Sequence, residues 1–123
     1  LSKLGVIVSL EFEKSSKDIE QFGKQLSMHI AASNPMSIDK KDIHENIIEK
    51  EMEIIKEELK SLGKPKEIAE KIGLGKINKF KEDNSLLTQD WVMDPKLKVK
   101  DVLTKVDTKN LNIKDFIRIK IGE

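Results

Sequence analysis

Apolar positions along this chain follow two periods, and the switches between them mark out its elements. From Leu4 to Glu11 the sequence LGVIVSLE is rich in β-branched residues and bounded by polar segments, which predicts a strand with at least one face in a core. Gly5 near its start permits close approach of another backbone. Ser15-Ser16-Lys17-Asp18 then reads as a helix start, with hydroxyls able to cap free amides and Asp18 and Glu20 in the first turn. Along that helix Ile19, Phe22, Leu26 and Ile30 form one stripe, predicted to lie on the sheet, and Asn34-Pro35 ends it. Met28 falls on roughly the opposite face at about 100° per residue, and His29 on the flank of the stripe. A methionine turned outward is either a scattered surface residue or part of a contact patch, and the spacing leaves both open.

The next period is longer in reach. Ile48, Met52, Ile55, Leu59 and Leu62 recur at steps of four, three, four and three, a narrow seam of the coiled-coil kind that needs a partner. Ile68, Ala69, Ile72 and Phe80 supply one after the break at Leu62-Gly63-Lys64-Pro65, where Gly63 can end a helix left-handed and Pro65 suits the first position of the next. Residues 42–81 are thus predicted to fold back as two helices, the first roughly 30 Å long. Gly73 and Gly75 weaken the second by about 1 kcal/mol each relative to Ala unless they let the helices approach closely. Outward positions carry Glu45, Glu49, Lys50, Glu53, Lys56 and Lys60, going from acidic to basic along the arm, which suits the helix dipole and a solvated face.

After Asn84 the period shortens again. Leu86-Leu87 and Trp91-Val92-Met93 predict a strand or extended segment closed by a turn at Asp94-Pro95. Val99, Val102, Leu103 and Val106 mark a short amphipathic helix. Ile113 to Ile121 alternates, with Ile117, Ile119 and Ile121 on one side and Arg118 and Lys120 on the other, so it is predicted as a strand whose charged face is wet. The expected architecture is α+β: a small three-stranded antiparallel sheet with packed helices and an inserted antiparallel coiled-coil hairpin. Residues 1–41 and 82–123 would form the core and residues 42–81 the insertion.

Composition narrows the chemistry. At 123 residues the chain supports one core, and 37% charged against 37% hydrophobic residues suits a soluble protein with much surface. The net charge of +1, from 23 basic and 22 acidic side chains, gives no general pull towards nucleic acid or an anionic membrane. Aromatic residues total 4% and tyrosine is absent, which argues against a base-stacking surface. The longest apolar runs, such as Val6-Ile7-Val8, fall far below a membrane span. Without cysteine there is no disulfide or thiolate metal site, and the two histidines, His29 and His44, lack further ligands at metal spacing. Gly73-Leu74-Gly75-Lys76 lies inside a helical pattern rather than a phosphate loop. The residues therefore point to a protein that binds without covalent catalysis and needs no cofactor. Leu1, not Met, stands at the edge of the first strand, so the start reads as a cut within a longer protein.

Three stretches taken together resemble the bacterial and organellar translation elongation factor Ts family, over nearly the whole chain: residues 27–35 (SMHIAASNP), residues 63–71 (GKPKEIAEK) and residues 91–95 (WVMDP). Asp115-Phe116-Ile117-Arg118 matches the family's closing pattern. The resemblance implies the C-terminal half of that factor's core, a guanine nucleotide exchange factor for elongation factor Tu, acting in the bacterial cytoplasm or in an organelle. Such exchange is linkage: a partner that prefers the empty state weakens nucleotide binding by the same free energy. By resemblance, His29 beside Met28 faces domain 3 of Tu, Val92 and Met93 join that contact, and Leu4-Gly5 matches a pair at the same interface. The hairpin and sheet would form a dimerisation region, so a homodimer is expected.

The family's preceding small helical domain and its Asp-Phe wedge from the first core half have no counterpart here, since Asp115-Phe116 sits in the terminal strand. A part of the grip on Tu with little exchange activity is the corresponding expectation. A stand-alone coiled-coil adaptor is the competing one.

Overall fold

The computed structural model describes residues 3–106 and 110–121; Leu1 lies outside them. The elements are β1 (Lys3–Glu11), α1 (Lys17–Ser33), α2 (Glu45–Ser61), α3 (Lys66–Asp83), β2 (Asp90–Trp91), β3 (Asp94–Lys98), α4 (Val99–Val106) and β4 (Asn112–Ile121), with 3-10 turns at Lys40–Asp42 and Leu86–Thr88. Ser16 caps α1 by accepting from the Ile19 amide at 3.2 Å, and Asn34 ends it in the left-handed conformation, φ 45°.

The single three-stranded sheet is not what the chain forms. Among the described residues there are two antiparallel pairs, β1 with β4 and β2 with β3. The segment meant to supply the third strand spends residues 86–88 on a 3-10 turn, so only Asp90 and Trp91 are left to pair. They pair locally, Trp91 opposite Asp94, which moves the reversal onto Val92-Met93 and makes Asp94-Pro95 the start of β3 rather than a turn. The class, mixed helices and antiparallel strands, stands.

β1 and β4 make a two-stranded ribbon with Ile7 opposite Ile117, Val6 opposite Arg118 and Val8 opposite Phe116, and an irregularity between Ser9 and Leu10. Paired residues share a face, so the ribbon has one face of Val6, Val8, Phe116 and Arg118 and another of Ile7, Ile117 and Ile119. α1 covers the first: Ile19, Phe22, Leu26, Ile30, Leu86, Trp91, Val99, Leu111 and Ile113 form the core, with Val6, Val8 and Phe116 packed on it. The isoleucine face of β4, predicted inward, is outward, and Arg118 is the partly buried side. Strict alternation says which residues share a face but not which face a helix covers. Arg118 has its own use there: its Nη2 donates to the Ala31 carbonyl at 3.2 Å, placing a cation at the C-terminal turn of α1, which has no basic residue of its own.

α2 and α3 pack through a second, separate cluster of Ile55, Leu59 and Ile77, with Ile48, Met52, Ala69, Ile72 and Phe80 around it. Gly63 takes φ 64° at the reversal, and Pro65 stands just before α3 as its cap residue rather than as its first helical residue. Leu62 and Ile68, predicted in the seam, are exposed at the tip. Where the two segments leave and re-enter the core, Leu86 and Leu87 amides donate to the Ser37 and Ile38 carbonyls at 2.8 and 3.0 Å, and Lys40 pairs with Glu82 at 3.8 Å.

Candidate functional site

The site is built where the end of α1 meets the β2–β3 turn. Along α1 the buried positions are Ile19, Phe22, Leu26, His29 and Ile30, so His29 belongs to the stripe itself and is fully buried, not on the flank. What covers it is Trp91, whose ring stacks on His29 with centroids 5.3 Å apart and on Phe22 at 5.8 Å. The helix alone leaves that position at the edge; a tertiary neighbour encloses it.

A buried imidazole must satisfy both nitrogens, and here each has one partner. The Val92 amide donates to Nδ1 at 3.2 Å. Nδ1 is therefore the bare nitrogen, and Nε2 carries the hydrogen that it donates to Gln89 Oε1, 3.0 Å away. Gln89 is held in turn: its amide nitrogen donates to the Asp83 carbonyl at 3.0 Å and the Ser33 carbonyl at 3.4 Å. One chain of hydrogen bonds thus links the ends of α3 and α1 to the backbone of the Val92-Met93 turn. Burial holds the His29 pKa below the usual 6.5, against the opposing pull of its hydrogen bond to Gln89. The neutral ring, as acceptor, is the form this geometry uses.

Around this buried post the apolar side chains face outward. Met28 is 58% exposed, Val92 42% and Met93 43%. Met28 precedes His29 in the chain, and the backbone of Val92, followed by Met93 in the same turn, is hydrogen-bonded to the His29 ring. Leu4 is also exposed, on the Val6 and Arg118 face of the ribbon, whose end lies against α1's last turn through Arg118. Gly5 is not with them: it is opposite Ile119 on the other face, and nothing lies within 4 Å of where its Cβ would be. Gln89, which positions this end of the molecule, carries no sequence signal beyond an ordinary polar residue in a loop, and Arg118 is marked only by its place in the closing Asp115-Phe116-Ile117-Arg118 pattern, not by its contact with α1.

Among the described residues no group of three or more acidic or histidine side chains could hold a metal ion, and no helix is long and apolar enough to cross a membrane. What the site offers is exposed apolar side chains, Val92 and Met93 on a turn hydrogen-bonded to buried His29 and Met28 next to His29 in the chain.

Comparison with known proteins bears on what such a surface is for. The family model described as elongation factor TS matches residues 1–123. An elongation factor Ts of Erythrobacter litoralis is 40% identical over 126 residues, covering 100% of this chain and 41% of the relative. That of Zymomonas mobilis is 36% identical with the same coverage, and that of Fervidobacterium nodosum is 36% identical over 128 residues, covering 98% of this chain and 65% of the relative. The chain therefore spans well under the full length of these relatives.

Proposed function

The chain belongs to the elongation factor Ts family, and from that premise we propose that it supplies part of the grip by which such a factor holds elongation factor Tu and promotes release of GDP. The observation that carries this reading is the pairing of an outward Met28, Val92 and Met93 with a buried, fully bonded His29. An apolar turn that costs nothing to order before docking binds more tightly than a loose one, because its conformational entropy is already lost. His29 contributes as the post beneath the turn, not as a surface side chain; Leu4 extends the ledge and Gly5 leaves room on the adjoining ribbon face. The work is done by binding energy alone, in the compartment where Tu is found, the bacterial cytoplasm or an organelle, with no cofactor and no bond made in the nucleotide. No observation favours the stand-alone adaptor over this reading.

The outward face of Ile7, Ile117, Ile119 and Ile121 supports a second element of the reading, a homodimer. Contiguous exposed isoleucines on a two-stranded ribbon mark an interface more often than bare surface. The α2–α3 pair acts as the protruding coiled-coil arm of the same region.

Replacing Val92 and Met93 with alanine, and separately Met28, tests the grip by titration with Tu·GDP. The double variant should weaken binding by about tenfold or more, as loss of two half-buried anchors at an interface does. Undiminished affinity removes the surface. In a labelled-GDP release assay the chain should accelerate exchange little; full acceleration would show that the grip alone suffices.

A further inference from the structure

We propose that the open end of the α2–α3 pair is a docking groove for an acidic amphipathic helix of a partner protein, a site separate from the His29 ledge. A groove of about 690 Å³ lies between the two helices on the tip side. Its origin is local. Seam positions on α3 step by four from Ala69 through Gly73 to Ile77, and Gly73 brings no side chain to its turn. The Leu59 and Ile55 side chains of α2 reach within 3.5 and 3.8 Å of where its Cβ would be, so they sink onto the α3 backbone there. Leu62 and Ile68, the next apolar pair towards the tip, point outward instead of closing the end.

The floor is apolar and recessed. Ile55 and Leu59 are packed under α3 at its base, and the apolar surface left open above them is that of Met52, Ala69 and Leu74, a trough that the apolar ridge of an incoming helix can enter. The rim has the opposite character: Lys56, Lys60, Lys64 and Lys66 surround the groove against a single carboxylate, Glu70. Of these lysines, Lys60 pairs with Glu57 of its own helix at 3.9 Å, with both side chains 78% exposed. Among the described residues Lys56, Lys64 and Lys66 make no ion pair. Four cations about an apolar trough call for an occupant with an apolar ridge between carboxylates. An anionic bilayer has the charge but not the ridge.

The test uses the full chain and a fluorescent peptide of about two helical heptads, with leucines at i, i+3 and i+7 and glutamates elsewhere, beside a twin carrying lysines for glutamates. Anisotropy titration should give saturable binding of the acidic peptide, weakened by salt, and the basic twin should bind at least about tenfold more weakly. The variant K56E/K64E/K66E should lose about tenfold or more for the acidic peptide while its circular dichroism and melting stay unchanged, since all three residues are exposed. Methyl resonances of Leu59 and Leu74 should shift on binding, and those of Val92 and Met93 should not. Equal binding of the twin, or unchanged affinity of the variant, overturns the proposal. So does displacement of the peptide by phosphatidylglycerol vesicles, or the same methyl shifts on raising the chain's own concentration, which would make the occupant a bilayer or a second copy.

Discussion

Neutral His29 is the residue on which the ledge rests, because only an unprotonated Nδ1 can accept from the Val92 amide. Burial keeps its pKa below 6.5 in the folded chain, so between the folded and unfolded values the unfolded state holds more protons. Stability is then complete above about pH 6.5 and is lost as pH falls through the window towards the folded pKa, with a slope of at most about 1.4 kcal/mol per unit. Denaturant unfolding of wild type and His29→Gln at about pH 5.5 and 7.5 should show this extra acid sensitivity in the wild type alone. His29→Ala removes a fully buried ring and strands the Val92 amide and Gln89, and should cost about 3 kcal/mol in the same assay. Val92→Ala and Met93→Ala, both on the surface of the turn, should stay within about 0.5 kcal/mol of wild type, which separates the post from what it carries.

At the scale of elements, local chemistry and tertiary covering divide the outcome. α1, α2, α3, α4 and β4 lie close to where periodicity, the Ser16 cap, Gly63 and Asn34 put them, because those signals act within a few residues. Which face of β4 is covered was not legible, since alternation is symmetric until α1 lies on one side. Nor was Ile77 legible as a core residue, because Gly73 interrupts the apolar steps that lead to it. The third strand failed for a related reason: Leu86-Leu87 looks extended but turns, and Leu86 enters the core from that turn. Of the candidate site, outward Met28 followed from helical spacing and the interest of Val92-Met93 from resemblance, while enclosure of His29 needed Trp91 folded over it. Gly75 has open space where a Cβ would go, so Gly75→Ala should raise thermal stability by about 1 kcal/mol through helix propensity. Arg118→Met should lower it by about 1–2 kcal/mol, the Ala31 carbonyl losing a charged donor at the end of α1.

The molecule as a whole has two separate apolar clusters joined by a clasped base, where residues 36–38 lie beside residues 84–87. Replacing residues 42–81 with a short linker should therefore leave a core that still melts cooperatively; loss of its transition would show that the α2–α3 pair is integral to it. The outward isoleucines of β4 set the other expectation at this scale. Wild type should sediment as a dimer at high concentration, and Ile117→Lys with Ile119→Lys as a monomer; a monomeric wild type would contradict the homodimer. The two surfaces carry different proposed roles, the turn for Tu and the ribbon for a second copy, and methyl-resolved NMR of the chain titrated with Tu·GDP separates them in one experiment. The ledge predicts that the Met28, Val92 and Met93 methyls shift and broaden while those of Ile117 and Ile119 stay in place; the reverse pattern would mean that Tu docks on the ribbon and that the His29-supported turn is not its grip.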